Sequence, residues 1–191
     1  MEAGELRKKV LLKALQDPEE VVRQAASQAL EKVETSWSLS RITAMLKEGN
    51  RGQQVQAIIA LERVDSPQIF PLLLAALKNP DADIRAAAVQ VLGNKAHPKT
   101  LGALVKHLKD PHPAVRVHSA VALGNFADAR LVPYLVACLQ DADEELVVNA
   151  ARSLGKIGFP QAEEPLASSV ADSRAVVRAA ALLALADLKT V

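Results

Sequence analysis

The sequence is short of several things at once. Among 191 residues it has one cysteine, one tryptophan, one tyrosine and three phenylalanines. A single thiol, Cys138, excludes a disulfide framework within the chain and a zinc site built on thiolates. No uninterrupted apolar run reaches the roughly 18 residues that a membrane span needs. The stretch Met1–Leu15 carries Glu2, Glu5, Arg7, Lys8, Lys9 and Lys13 and has no apolar secretory core. Net charge is also lacking: 23 basic against 22 acidic residues leave +1 at pH 7. That argues against wholesale nucleic-acid binding but leaves room for a local basic patch. A chain that is 50% hydrophobic with so even a charge balance is not disordered. What it has in abundance is Ala, 34 residues, and Leu, 27 residues, both strong helix formers. Helices packed through small side chains, without aromatic plugs, are the expected result.

Self-similarity governs the rest. Six segments align without a gap, starting at Asp17, Glu48, Asn79, Asp110, Asp141 and Asp172, each 31 residues after the last. Thirteen positions past each start stands Leu30, Leu61, Leu92, Leu123, Leu154 or Leu185. Nine past it stand Ala26, Ala57, Ala88, Ser119, Ala150 and Ala181. Each period holds two helical patterns. In the first segment Val22, Ala26, Leu30 and Val33 form one helical face, with Asp17 placed as an N-cap, Pro18 after it and Glu20 completing a capping box. Asn79-Pro80 and Asp110-Pro111 repeat the cap-then-proline signal, and Asp141 with Glu144 repeats the box. A first helix precedes each cap, carrying pairs such as Leu11 and Leu15, or Leu104 and Leu108. Ser66-Pro67, His97-Pro98 and Phe159-Pro160 mark helix starts. With linkers this short, twelve helices in six antiparallel pairs are expected, stacked because a lone pair cannot bury both flanks.

The unit D-P-x-x-x-V-R-x-x-A-x-x-A-L-G resembles the HEAT repeat, in the short 31-residue form of the phycobilisome lyases. Asp110, Pro111, Val115, Arg116, Ala122, Leu123 and Gly124 match it, and Ser119 stands in an Ala position. The resemblance implies an all-α fold, a right-handed α-solenoid of six antiparallel helix pairs. We expect one domain, 1–191, with repeats at approximately 1–33, 34–64, 65–95, 96–126, 127–157 and 158–191. It says little about function, because such repeats serve unrelated tasks. The column Arg23, Arg85, Arg116 and Arg178, from which Gln54 and Val147 depart, is expected to pair with the start-position aspartates of its own or the neighbouring repeat.

Sorted by helical angle, positions five, nine, thirteen and sixteen past each start are core. Positions seven, ten and fourteen, small or apolar as in Val117, Ala120 and Gly124, should pack on an adjacent repeat. The remaining strip would face the concave groove of a HEAT-type solenoid. It holds Gln28, Lys32, Gln56, Ile59, Arg63, Gln90, Asn94, His118, Val121, Asn125, Asn149, Arg152 and Lys156. The core columns are uniform, whereas this strip varies in polarity and size. Such a mixed track suits a peptide or helix of a protein partner, and an ordinary solvated face is the competing reading. Trp37 could anchor a partner or fold back over the preceding turn. The last helix, from Ala175, is apolar nearly all round, which implies a cover: a second copy, a partner or further repeats.

The search for chemistry is brief. His107, His112 and His118 fall in one repeat, but none has the H-x-x-x-H spacing of a metal site on one helix face. The His-Glu dipeptides of the HEAT-like deoxyhypusine hydroxylases are absent: Pro98, Leu108, Pro113 and Ser119 follow the four histidines. Cys138 lies in a column of mostly small helix-interior residues, as a packed thiol does. No nucleophile elbow, phosphate loop or dinucleotide fingerprint is present. The expectation is a non-enzymatic, cytoplasmic interaction scaffold with no cofactor and no metal. Two alternatives stay open. One is a bilin lyase-type subunit, suggested by the repeat subtype. The other is a nucleic-acid scaffold using Lys32, Arg63, Arg152 and Lys156, against which stand the lack of stacking aromatics and the +1 charge.

Overall fold

The computed structural model describes residues 3–189, without the side chains of residues 3–5 and of Trp37. The described residues are helical and form two compact units, Met1–Ile69 and Phe70–Val191.

The first unit contains α1 (Ala3–Ala14), α2 (Glu20–Glu48) and α3 (Arg51–Ala60), which a single 3-10 turn extends to Arg63. Here one expectation fails. The turn anticipated near Glu34–Trp37 does not form, and α2 runs unbroken for 29 residues through what the repeat pattern reads as two helices. The reason is local: Glu34-Thr35-Ser36-Trp37-Ser38 offers neither Pro nor Gly to stop a helix. Ser40 satisfies its hydroxyl by donating to the Ser36 carbonyl one turn back, at 2.9 Å. The next turn does form. Asn50 and Gln53 make a reciprocal capping box, Gln53 N–H to Asn50 Oδ1 at 3.0 Å and Asn50 N–H to Gln53 Oε1 at 2.9 Å. Ala26, Leu39, Ile42, Ala57, Ile58 and Leu61 are buried in this unit.

The second unit is the regular part. Its helices are α4 (Ile69–Ala76, whose first residue falls in the other unit), α5 (Ala82–Lys95), α6 (Leu101–His107), α7 (Pro113–Leu123), α8 (Val132–Cys138), α9 (Glu144–Ile157), α10 (Glu163–Ser169) and α11 (Ala175–Ala186). Short 3-10 turns lead into α6, α8 and α10. Three pairs pack within repeats, α6 on α7, α8 on α9 and α10 on α11, and the second helices stack in the order α5, α7, α9, α11. Most core-column residues are buried as expected: Ile84, Ala88 and Leu92; Val115, Leu123 and Phe126; Leu146, Ala150, Leu154 and Ile157; Val177 and Ala181. Lys95, Leu185 and Leu188 are only half-buried, and in the first unit Leu30 and Val33 are half-buried and Val22 is exposed. Each such leucine or valine removed from water contributes about 1.5–3 kcal/mol. Ser119 is tolerated in its apolar column because its hydroxyl donates to the Val115 carbonyl at 2.7 Å.

The start-position aspartates act differently from expectation. They do not cap the helices. Asp17, Asn79, Asp110, Asp141 and Asp172 each accept, through Oδ1, the N–H two residues on, at 2.8–2.9 Å. These are Asx turns, and the helix begins about one residue beyond them. The N-caps are Glu19, Asp81, His112, Asp143 and Arg174. Accordingly Glu20 is no capping-box partner of Asp17; its carboxylate accepts from Gln24 Nε2 instead. Pro113, not Pro111, opens α7.

The arginine column explains why those turns hold. The Nη1 of Arg85 donates to the Asn79 and Pro80 carbonyls, and that of Arg116 to the Asp110 and Pro111 carbonyls. Arg178 does the same at Asp172 and Ser173, and Arg23 at Asp17 and Pro18. Two of these arginines also reach forward to an aspartate of the next repeat. Arg85 holds Asp110 in a bidentate pair, Nε–Oδ2 2.9 Å and Nη2–Oδ1 2.8 Å. Arg116 meets Asp143 at 3.3 Å. The departures are compensated. Gln54 donates to the Leu46 carbonyl at 3.0 Å. The buried Val147 side chain has no donor, and Arg174 of the following repeat reaches back to the Asp141 and Ala142 carbonyls at 3.2 and 3.5 Å. Arg174→Ala is therefore expected to lower the melting temperature, whereas Arg152→Ala, of an arginine with no partner among the described residues, leaves it unchanged; thermal unfolding followed by circular dichroism compares the two.

Candidate partner-binding surface

Positions four, eight, eleven and fifteen of the second helices carry the expected strip, although Ala87 and Ala180, both at position eight, are buried. On α5, Gln90 and Asn94 are exposed; on α7, His118 and Val121; on α9, Arg152 and Lys156. Asn125 and Asn149 are half-buried. Val121 is 43% exposed, which is unusual for a valine on a helix whose other valines are buried. Arg152 has no hydrogen-bond or ion-pair partner among the described residues, unlike the bound column arginines. It stands one helix away from Val121 on one side and Leu183 on the other.

Not all of the strip is free for a ligand. Asn125 donates through Nδ2 to the Gly93 carbonyl at 3.0 Å, closing the end of α5 from the neighbouring repeat. Lys156 in turn donates to Asn125 Oδ1 at 2.6 Å, and Asn149 donates to its own helix at the Glu145 carbonyl, 2.8 Å. Asn125 and Lys156 therefore brace the stack as well as facing solvent, while Asn149 is tied to its own helix. Leu183, 68% exposed, and Val176, 51% exposed, occupy the same columns on α11. Leu183 continues the column of Gln90, Val121 and Arg152, and the column position of Val176 is the signal that would have placed it in the strip.

In the first unit the expected strip residues divide. Gln28 and Lys32 on α2 line an open hollow of about 450 Å³ together with Glu31, Thr35, Leu39 and Ser66. Arg63 lines a different hollow of about 560 Å³ with Lys8, Glu34, Arg41 and Met45. Gln56 is exposed on α3, and so is Ile59 at 46%. The side chain of Trp37, on α2, lies outside the described residues.

The electrostatics belong to the turns, not to the strip. Burial pushes the Asp110 carboxyl up, but hydrogen bonds from Arg85 and His112 N–H hold it below the usual carboxylate range. Asp172 is held down at about 2 by the hydrogen bonds of Arg174. Burial raises the Cys138 thiol to about 11, so its thiolate is scarce at neutral pH, and the thiol leans on the Tyr134 carbonyl. His107 places Nδ1 2.8 Å from the Ala103 carbonyl and Nε2 3.0 Å from that of Leu77. His112 and His118 are exposed elsewhere. Among the described residues no three His, Cys, Asp or Glu side chains come together as metal ligands, and no helix is long and apolar enough to cross a membrane.

The sequence matches the family model for HEAT repeats at residues 39–112, 70–153 and 101–186, windows that begin one period apart, and that for a single HEAT repeat at residues 9–33. The chain belongs to the HEAT-repeat family. Among solved structures, this HEAT protein is similar to the complex of CpcE and CpcF of phycocyanin lyase from Nostoc sp. PCC7120. The match has 24% identity and a TM-score of 0.66 over 78% of this chain and 98% of that one. The Escherichia coli protein YibA is similar at 18% identity, TM-score 0.65, over 95% of this chain and 72% of its own. An engineered protein matches at 22% identity, TM-score 0.57, over 95% of each chain. At such identities the likeness is one of fold. No curated protein matches the sequence.

Proposed function

We propose that this HEAT protein is a non-enzymatic interaction scaffold that holds a segment of a protein partner along the outward strip of α5, α7 and α9. The observation that carries this reading is the contrast on α7 and α9. Inward columns are uniform, buried and bound, while Val121 stands open and Arg152 stands without a partner. An apolar side chain beside a free guanidinium suits a partner that brings an apolar residue followed by a carboxylate. Stacked helices hold these groups in place, so little ordering is left for binding to bring about.

The test is co-precipitation from native extract with the wild-type chain and with Val121→Glu plus Arg152→Glu. Both substitutions lie on exposed positions, so the fold should survive, as circular dichroism would verify. We expect the recovered partner to fall at least about tenfold, the effect of losing roughly 1.4 kcal/mol of binding. An unchanged partner set would sink the strip hypothesis. A second reading, a bilin lyase-type subunit, draws on the likeness to the CpcE–CpcF complex. It predicts a red shift and intensity change when a bilin is titrated with the chain; an unaltered absorbance spectrum removes it.

A further inference from the structure

The net charge of +1 conceals a separation along the second unit. Residues 70–118 hold seven lysines and arginines against three aspartates, whereas residues 119–191 hold six against nine acidic residues. The three aspartates are engaged: Asp110 is buried against Arg85, and Asp81 and Asp83 stand together at the start of α5. Arg85 and Arg116 are bound at the turns. Lys78, Lys99, Lys106 and Lys109 are exposed, and their ammonium groups have no partner among the described residues. All four belong to the first helices of two adjacent repeats and the turns beside them. Those stretches, residues 70–80 and 96–109, contain no acidic residue. The next first helix, α8, has no charged side chain, and α10 opens on Glu163 and Glu164. Along the first helices of this unit the basic surface is therefore confined to α4 and α6.

Between α4 and α6 lies an open groove of about 470 Å³. Leu74, Ala75, Leu77 and Ala103 give it an apolar lining, and Lys78 and Lys106 line it as well. Lys109 occupies the position of Lys78 one repeat on, so neighbouring helices about 8–10 Å apart bring these two side by side. His107 ties α6 to the end of α4, its Nε2 lying 3.0 Å from the Leu77 carbonyl. The groove is thus preformed, apolar within and cationic where the two helices end.

We infer that this groove takes an acidic segment of a protein partner, at a surface separate from the outward strip. An aliphatic side chain of the segment enters the groove, and carboxylates beside it meet Lys78, Lys106 and Lys109. Charge complementarity selects that occupant, because these ammonium groups face no carboxylate of their own helices. A nucleic acid suits the groove less well, since no aromatic ring lines it for a base to stack on. A second copy suits it less well too. The acidic stretch Glu163-Glu164-Pro165-Leu166 has its leucine fully buried and unable to enter a groove. Exposed ion pairs are screened by salt, with a Debye length of about 10 Å at 0.1 M, so binding should be modest and salt-sensitive.

Fluorescence anisotropy with a labelled peptide repeating Glu-Glu-Leu tests this, with peptides repeating Gln-Gln-Leu and Glu-Glu-Ser as controls. At low ionic strength the wild-type chain should bind the first with a Kd on the order of 50 µM, and each control at least about fivefold more weakly. Lys78→Gln, Lys106→Gln and Lys109→Gln combined should weaken binding at least about tenfold. Val121→Glu with Arg152→Glu changes the net charge equally and should bind as the wild type does, which separates this groove from the strip. All these substitutions fall on exposed side chains, and a circular dichroism melt confirms that each variant is folded before it is titrated. A wild-type chain that ignores the Glu-Glu-Leu peptide overturns the inference. Equal losses in the two variants overturn it too, because the attraction would then belong to the whole protein and not to this groove. So does a Glu-Glu-Ser peptide held as tightly as Glu-Glu-Leu, which would leave the apolar lining without a part. Tighter binding of a single-stranded DNA of equal charge would replace the acidic segment by a nucleic acid, and self-association that the peptide abolishes would replace it by a second copy.

Discussion

Asp110→Ala is expected to destabilise the second unit by about 3 kcal/mol, the scale of breaking a buried, hydrogen-bonded ion pair. Asp110 has only 5% of its side chain exposed and Arg85 only 12%. Removing the carboxylate leaves the guanidinium with carbonyl acceptors on one nitrogen and an unmatched charge on the others. It also abolishes the Asx turn, since Asp110 Oδ1 accepts the His112 N–H at 2.9 Å. Asp110→Asn separates the two losses. An asparagine keeps the turn, as Asn79 does at the equivalent position, but cannot neutralise Arg85. We expect it to cost about half as much, roughly 1.5 kcal/mol. Urea unfolding followed by circular dichroism reads both as shifts of the midpoint at constant slope. Equal midpoints for the two variants would mean that the ion pair carries the whole effect and the turn none.

The same pair sets a pH dependence. In the folded chain the Asp110 carboxyl is held below the ordinary aspartate value. Its contribution is therefore fully present above that value and is lost as pH falls below it through the lower, folded one. Asp172, held at about 2, acts in the same direction over the same acid range. Acid unfolding that begins below about pH 4, and begins earlier in Arg85→Met, is the expected pattern. In that variant the buried carboxyl loses the partner that lowered it.

The helical architecture was legible because the columns repeat and because their chemistry is the chemistry of packing. A leucine held at one phase through six periods marks a packed column, and in the second unit Leu92, Leu123 and Leu154 are buried while Leu185, on the last helix, is half-buried. Two things were less legible, both for local reasons. The continuous α2 depends on what the stretch around Trp37 lacks, and the periodicity continues through it unchanged whether the chain turns or not. The Asx turns look like N-caps in sequence because the same residues, Asp and Asn, do both; even the bond is shared, since the N-cap Asp81 and the turn residues Asp110 and Asp141 all accept the N–H two residues on, and only where the helix begins distinguishes them. Arg174 was invisible for another reason. Its work at the Asp141 and Ala142 carbonyls lies a full repeat away, at a position where the column analysis expects no arginine.

The strip was legible as an exposed track but not in its internal bonds. Nothing in the spacing of Asn125 and Lys156 announces that one braces the Gly93 carbonyl and the other braces the first. Variation along a column marks a surface that packing does not constrain. It does not say which of the surface residues are already engaged, and that distinction leaves Val121 and Arg152 as the side chains with most to offer a partner.

Gly155→Ala is expected to destabilise the chain by about 2 kcal/mol, and Gly102→Ala to stabilise it by about 0.5–1 kcal/mol. Both glycines lie in helices, in α9 and α6, and neither has a positive φ, so the same intrinsic preference favours alanine at each. The difference lies in the neighbour. A Cβ on Gly155 would lie 2.7 Å from the Ala184 Cα, 3.0 Å from its Cβ and 3.1 Å from its carbonyl oxygen. Those are main-chain atoms and a methyl with no rotamer to change, so α9 and α11 must separate, and the buried contacts of Ala151 and Ala180 loosen with them. A Cβ on Gly102 would meet nothing within 4 Å. Thermal melts of the two variants should therefore move in opposite directions from the wild type. Parallel shifts would mean that the glycine column owes nothing to close approach of the stacked helices.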